Sequence, residues 1–332
     1  MAQNQPLVTI GIPTYNRVAQ LKRSIETALN QNYSNIEVVV SDNASTDETQ
    51  KYCELYCNRE DRLKYMRQVK NIGPTANFSA VLMAASGEYF MWLGDDDWID
   101  TDYVSSCARL LTSDTHIALV SGVPRYYAND KHTHTGKYFS LLSGSPWRRV
   151  ISYYAQVADN GMFYGLMRTA QLRHLKIKNT MGGDWLMIAG VAFTGKVRVL
   201  PEISVHRETG GATANYRKIR EILGLSGFVS KFPKLSIAIN VWKDVAVDNS
   251  LYSSQNRLPR VAAANLIFLI LVGKTILHHM KAAPSRIFTS TRNCIGRLSR
   301  AAEKHAAGGV NPGEPASGNK QDRLQKQPER EQ

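Results

Sequence analysis

Cysteine is scarce in this chain: Cys53, Cys57, Cys107 and Cys294 are the four among 332 residues. Their spacing fits no zinc site. Cys53 and Cys57 stand four apart on an expected helix, which points to a reducing compartment and not to a disulfide framework. The N-terminus, MAQNQPLVTI, lacks the basic stretch and apolar run of a signal peptide, so a cytoplasmic location is expected. Neither a Walker loop nor a G-x-G-x-x-G is present. A long apolar run is missing too: the uncharged stretch Val261–Gly273 has 13 residues, against roughly 20 for a bilayer-spanning helix. Acids are outnumbered, 28 against 41 Lys and Arg, for a net charge of +13. That balance favours an anionic partner, which could be nucleic acid, a phospholipid surface or a phosphorylated substrate.

An apolar content of 43% supports a sizeable core, and the length suits one α/β domain with a C-terminal extension. "LVTIGIP" (Leu7–Pro13) and "IEVVVSDN" (Ile36–Asn43) read as buried strands. Asn16 can cap the helix between them, with Leu21, Ile25 and Leu29 inward. In "STDET", Ser45 or Thr46 can cap a second helix. "LKYMRQ" is a third strand, Asn77–Ser86 a helix ended by Gly87, and "YFMWLG" a fourth strand. Alternating strands and helices imply a mostly parallel, doubly wound sheet that binds ligands at the carboxyl ends of its strands. Further on, "HIALVSGVPRYY" and "GMFYGLMRT" read as strands, "GDWLMIAGVAF" as a helix, and "KVRVLPEISVH" as a strand pair. Residues 216–250 read as helical.

The fourth strand runs into Asp95, Asp96 and Asp97. Asp97 or Asp100 alone could cap a helix. Three adjacent acids exceed that need, because like charges a few ångströms apart raise one another's pKa unless a cation intervenes. A divalent ion held by carboxylates and phosphate oxygens, Mg2+ or Mn2+ with a nucleoside diphosphate, resolves the conflict. Asp42 also ends a strand, where a carboxylate can accept from a base N–H or a ribose hydroxyl. "NIGPTANF" is a loop into a helix start, either a phosphate cradle or a plain turn.

In order and spacing, "VTIGIPTYNR", "VVVSDNASTDET", "NIGPTANF" and "YFMWLGDDDW" closely resemble glycosyltransferase family 2. The likeness is greatest to bacterial O-antigen and polysaccharide sugar transferases. It is strong over about residues 7–110 and looser over 111–215. It implies a GT-A fold, α/β with a Rossmann-like sheet and a helical C-terminal extension, and inverting transfer from a nucleotide-sugar. By resemblance, Pro13, Tyr15 and Arg17 lie beside the nucleotide, Asp42 reads base or ribose, and Asn71 and Gly73 border the nucleotide. Asp95, Asp96 and Asp97 contact sugar and metal, Asp97 being the leading ligand. Gly94 stands where the family more often has the first acid of its cluster. "GGDWL" resembles the segment carrying the general base, Asp184, which a helix N-cap would also explain. "SVHRETGGAT" resembles a late histidine before a small-residue loop, so His206 is a candidate for metal or diphosphate, Arg207 for phosphate, and Gly210–Gly211 for a closing loop.

The units implied are 1–113 for the nucleotide-sugar half, 114–215 for the acceptor half, 216–305 for a basic helical extension and 306–332 for a disordered tail. The expected acceptor is a glycan or lipid-linked glycan. After Val261–Leu277, Lys281, Arg286, Arg292, Arg297, Arg300 and Lys304 face one acid, Glu303. Either a buried packing helix or an interfacial helix on an anionic membrane surface accounts for the segment, and peripheral contact with the inner membrane is the favoured expectation. Nucleic acid is disfavoured, since these cations lie by an apolar helix and not among exposed aromatics. A processive synthase is disfavoured by the absence of Q-x-x-R-W. A nucleotidyltransferase would need a Gly- and Arg/Lys-rich loop where "IPTYNRVAQ" stands, and a non-catalytic carbohydrate-binding protein would be expected to have lost acids that are all present here.

Overall fold

The computed structural model describes residues 5–209, 216–225, 227–248, 250–253, 255–277 and 280. Met1–Ile276 make one compact unit, and the chain from Leu277 belongs to a second. The basic run from Lys281, Cys294, the Gly210–Gly211 loop and the tail from 306 lie outside the described residues.

The first half alternates as its patterning requires. β1 (Val8–Thr14), β2 (Ile36–Asp42), β3 (Leu63–Arg67) and β4 (Tyr89–Trp92) are joined by α1 (Val18–Leu29), α2 (Thr49–Cys57) and α3 (Pro74–Ala84). They pair in parallel in the order β3-β2-β1-β4. Every residue of β1, β2 and β4 is buried, as strands covered on both faces must be. α1 turns Leu21, Ser24, Ile25, Ala28 and Leu29 inward at helical spacing. Pro13 is tolerated inside β1 because its missing N–H would face β4, whose register ends opposite Gly11.

The second half is mixed. β5 (Trp98–Ile99), α4 (Tyr103–Ser113), β6 (Ile117–Ala128), β7 (Lys131–Thr135) and α5 (Pro146–Gln156) lead to a 3-10 turn, Gly161–Tyr164. β8 (Leu166–Arg168), α6 (Thr169–Arg173), α7 (Gly183–Thr194) and β9 (Lys196–Glu208) follow. The sheet continues β4-β8-β6-β9-β5, with β8 antiparallel to both neighbours and β7 on β6. One sheet therefore crosses the boundary expected at residue 113. α7 is buried nearly all round and packs on α5, whose Arg149 donates to the Ala192 and Phe193 carbonyls at the end of α7. Beyond it come α8 (Tyr216–Leu223), α9 (Gly227–Lys231), α10 (Pro233–Lys243), α11 (Ser250–Ser253) and α12 (Arg257–Leu277).

Several sequence expectations need correction. α3 begins at Pro74, three residues before Asn77, because Gly73 adopts φ 82° as N-cap and proline suits the first turn. Neither Asn16 nor Ser45 nor Thr46 caps its helix through a side chain. Asp47 serves both helices: its carboxylate accepts from Val18 N at 3.1 Å and Thr49 N at 3.1 Å. "GMFYGLMRT" is a 3-10 turn plus a three-residue strand. "KVRVLPEISVH" is one strand and not a pair. It bulges, since Leu200 opposes Gly122 but Ser204 opposes Val123.

Candidate active site

β1 and β4 end side by side and bring Thr14 and Arg17 to the three acids. Asp97 N donates to the Gly94 carbonyl, closing a tight turn, and Ser24 Oγ of α1 donates to the carbonyls of Gly94 and Asp97. Thr14 Oγ1 donates to Asp95 Oδ2 at 2.8 Å. One nitrogen of Arg17, Nη1, reaches Asp95 Oδ1 at 3.2 Å and Asp96 Oδ2 at 2.6 Å. The glycine at 94 has a steric reason: a Cβ there would meet Asp97 Oδ2 at 2.6 Å.

Asp97 is 2% exposed and faces Arg207 on β9, with Oδ2 3.5 Å from Nε. Neither of those two atoms has a hydrogen-bond partner. Its other oxygen accepts from Glu208 N at 3.3 Å. Burial pushes the Asp97 carboxyl up to about 7 against the pull of Arg207, with Asp96 adding to the rise. Burial likewise raises Asp95 to about 6, opposed by Arg17. The cluster's charge is thus met in part by two arginines that sequence reasoning did not pair with it.

A cleft of about 470 Å³ opens on the far side of Arg207. Asp184 lies in it at the second residue of α7, where the helix dipole favours a carboxylate. The residue before α7, Gly182, has φ 74° and is the N-cap, so Asp184 is not the cap that the sequence allowed. Asn160 Nδ2 donates to Asp184 Oδ2 at 3.0 Å, and Asn160 is itself held by Tyr153 OH at 3.0 Å. Burial raises the Asp184 carboxyl above the usual range, against hydrogen bonds from Asn160 and the Trp185 backbone and the nearby Arg207 charge. Arg207 donates to Tyr126 OH at 3.2 Å and Tyr164 OH at 3.1 Å, and its guanidinium lies 4.5 Å from the Tyr164 ring centre. Phe78, Phe163, Trp185 and Tyr216 also line this cleft. Asn160, Tyr126, Tyr164 and Trp185 escaped the sequence reading, because nothing local links residues 160 and 184.

Other expected residues fall as follows. Tyr15 is exposed, while Pro13 is buried within β1. Asn71 is exposed, and its side-chain oxygen accepts from Asn43 Nδ2 at 3.0 Å and Gly73 N at 2.9 Å. Asp42 is completely buried, accepting from Ser45 N and Tyr65 OH at 2.8 Å each, with Arg67 Nε at 3.4 Å. It shapes the loop after β2, and a base or ribose could reach it only by displacing Tyr65 or that loop. His206 engages Asp100 Oδ1 through Nε2 at 2.7 Å and Tyr127 OH through Nδ1 at 3.1 Å, and stacks on Trp98. With both ring nitrogens so occupied, His206 is not placed as a metal ligand.

Among the described residues no group of three or more His, Cys, Asp or Glu is arranged to hold a metal. An all-protein cage is therefore absent from them. Hard carboxylate oxygens, one of them the orphaned Asp97 Oδ2, fit Mg2+ or Mn2+ completed by phosphate oxygens.

A family model for glycosyl transferase family 2 matches residues 9–178, just over half of the chain. The colanic acid biosynthesis glycosyl transferase WcaA of Escherichia coli, so described putatively, is 30% identical over 168 residues, covering 48% of this chain and 57% of that protein. A Campylobacter jejuni GalNAc(5)-diNAcBac-PP-undecaprenol beta-1,3-glucosyltransferase is 36% identical over 93 residues, covering 28% and 30%. The chain thus spans under two thirds of the length of these relatives. Among solved structures, Staphylococcus aureus TarS 1–349 in complex with UDP-GlcNAc superposes with TM-score 0.50 at 19% identity, covering 80% of this chain and 81% of that one. At that identity the likeness is one of fold.

Proposed function

Because the chain belongs to glycosyl transferase family 2, we propose that it moves a sugar, with inversion, from a nucleoside-diphosphate sugar to a hydroxyl of a glycan or lipid-linked glycan in bacterial surface-polysaccharide synthesis. One observation carries this reading: Arg207 faces Asp97 on one side and lines the Asp184 cleft on the other. The donor end and the acceptor end of a transfer site meet at a single guanidinium.

In this reading the exposed Tyr15 and the Asn71–Gly73 turn border the nucleotide, while Pro13 and Asp42 shape the strand ends beneath it. Arg17 and Thr14 hold Asp95 and Asp96 in place, their carboxylates ready to accept from the donor sugar's hydroxyls or to meet the metal. Asp97 and Asp95 would hold Mg2+ or Mn2+, and the chemistry a bound ion supplies is neutralisation of the diphosphate leaving group. Arg207 lends a fixed positive charge at the same place. The acceptor hydroxyl attacks the anomeric carbon, the sugar–phosphate bond breaks with its electron pair going to the diphosphate, and Asp184 takes the hydroxyl proton. Asn160 aims that carboxylate, and its raised pKa makes it a stronger base than an ordinary aspartate. Such a base contributes typically about 10²–10⁴-fold. A UDP-sugar is the first donor to try, given the donor in the TarS complex. The undecaprenol-linked acceptor in the Campylobacter protein's name supports a lipid-linked one.

The test compares Asp184→Asn with Asp184→Ala. Asparagine keeps the shape and removes basicity, so both variants should lose at least about 10²-fold in kcat with donor affinity nearly unchanged. An Asp184→Asn enzyme as active as the parent would reassign Asp184 to a structural role.

A further inference from the structure

α12 departs from the usual surface helix, which turns its charges to water. Its inner face is Arg260, Ala263, Ala264, Ile267 and Leu271, all buried. The cations Arg260 and Lys274 also turn inward. Arg260 Nε donates to the Val245 carbonyl at 2.7 Å. Lys274 Nζ donates to the carbonyls of Tyr154 at 3.2 Å and Val157 at 2.6 Å, closing the end of α5.

That leaves the outer face without charge. Leu258, Ala262, Leu266, Leu269 and Ile276 follow helical spacing along it, over about 28 Å at 1.5 Å per residue. Leu258 is 85% exposed, Leu269 67% and Ile276 54%. The neighbouring Asn265 is engaged by Trp242 Nε1 at 2.8 Å. Single exposed leucines are ordinary, but a continuous apolar stripe, with two of the helix's three cations withdrawn and the third, Arg257, exposed at its first residue, marks an interaction surface.

We propose that this stripe lies in the headgroup–acyl boundary of an anionic bilayer, with α12 parallel to the membrane plane. Charge complementarity selects this partner: the sequence after the helix carries Lys281, Arg286, Arg292, Arg297, Arg300 and Lys304 against Glu303 alone, within a chain of net charge +13. Anionic lipid attracts such residues, and an apolar helix face adds insertion. By length and composition α12 could cross a membrane. Spanning would strip Ala264 and Ile267, both fully buried, out of the core, together with two engaged cations. Lying flat keeps the inner face packed. The inference does not depend on the donor and base assignments.

The experiment is co-sedimentation of the full chain with vesicles of phosphatidylglycerol and phosphatidylcholine (1:1) and of phosphatidylcholine alone. The parent should bind the anionic vesicles and be largely released by high salt. Leu266→Gln and Leu269→Gln should each weaken binding roughly tenfold, from the apolar area no longer inserted. Both side chains face outward, so the variants should melt with the parent. Reversing charge at Arg292, Arg297 and Arg300 should weaken binding separately. Undiminished binding by the double glutamine variant overturns the proposal. So does binding that resists alkaline carbonate, which means a span. Self-association through the stripe without vesicle binding also overturns it, in favour of a second copy.

Discussion

Asp184, the proposed base, ties the rate to pH through a single carboxyl. A general base must be ionised, and burial holds its pKa above the ordinary aspartate range. The acid limb of kcat should therefore lie at higher pH than an unperturbed aspartate gives, and Asp184→Asn should abolish that limb with the residual rate. Stability has the opposite sign. A carboxyl whose folded pKa is raised contributes stability that is complete below its unfolded pKa and is lost as pH rises through the folded one. At pH 8 the asparagine variant should thus melt no lower than the parent, and a clearly lower melting temperature would show that the ionised carboxylate stabilises the fold. Arg207 gives a second prediction. Arg207→Met keeps much of the apolar volume but leaves buried Asp97 without its counter-charge. Because burial already holds Asp97 at about 7, the carboxyl can take up a proton when the charge goes. The expected cost at pH 7 is therefore only about 1 kcal/mol, largely from the lost hydrogen bonds to Tyr126 and Tyr164. It should grow as pH rises and Asp97 ionises, and the denaturant midpoint reads both. A midpoint shift that does not grow with pH would mean that Asp97 does not ionise beside Arg207. The acids themselves were legible in the sequence because three carboxylates after an apolar run demand neutralisation. Their arginine partners were not, since Arg17 lies 78 and 79 positions from Asp95 and Asp96. Only the register of β1 against β4, and β9's return beside β5, brings such pairs together.

The elements were readable where burial on both faces leaves an unbroken apolar run, as in β1, β2 and β4, or where a helix shows one inward stripe, as in α1. They were not readable where tertiary pairing decides. β8 is three residues wedged antiparallel between β4 and β6, and β5 is two residues held by β9. Helix starts were misplaced because local capping rules assume the nearest side chain. Here Asp47 reaches back to α1 as well as forward to α2. Asp47→Ala should therefore cost more than a single cap, about 1–2 kcal/mol for the pair, by equilibrium unfolding. A loss below a few tenths would show that water replaces it. Gly73→Ala isolates backbone strain at the start of α3, because a Cβ there meets nothing within 4 Å. With φ at 82° the substitution should destabilise by about 1 kcal/mol. A neutral result would mean that the loop from Asn71 relaxes freely.

For the whole molecule, alternating strands and helices announced the α/β class, and the four motifs in register announced the family. The strand order beyond residue 113 was hidden, since nothing local shows that β8 and β6 extend the sheet from β4. The inward turn of Lys274 was hidden too, because the spacing that makes it α5's cap belongs to two helices far apart in sequence. The central claim, that the acid cluster at the ends of β1 and β4 receives a nucleoside-diphosphate sugar, is tested most directly by thermal unfolding of the full chain. The panel is UDP-, GDP-, dTDP- and CDP-sugars, each with Mn2+ and with excess chelator. A ligand at 100 times its Kd stabilises by about 2.7 kcal/mol, several degrees for a domain of this size. The account predicts that at least one sugar nucleotide raises the melting temperature, that chelation removes most of the rise, and that Asp97→Ala, itself folded, shows none. No shift with any of the four, or an equal shift in Asp97→Ala, would contradict it.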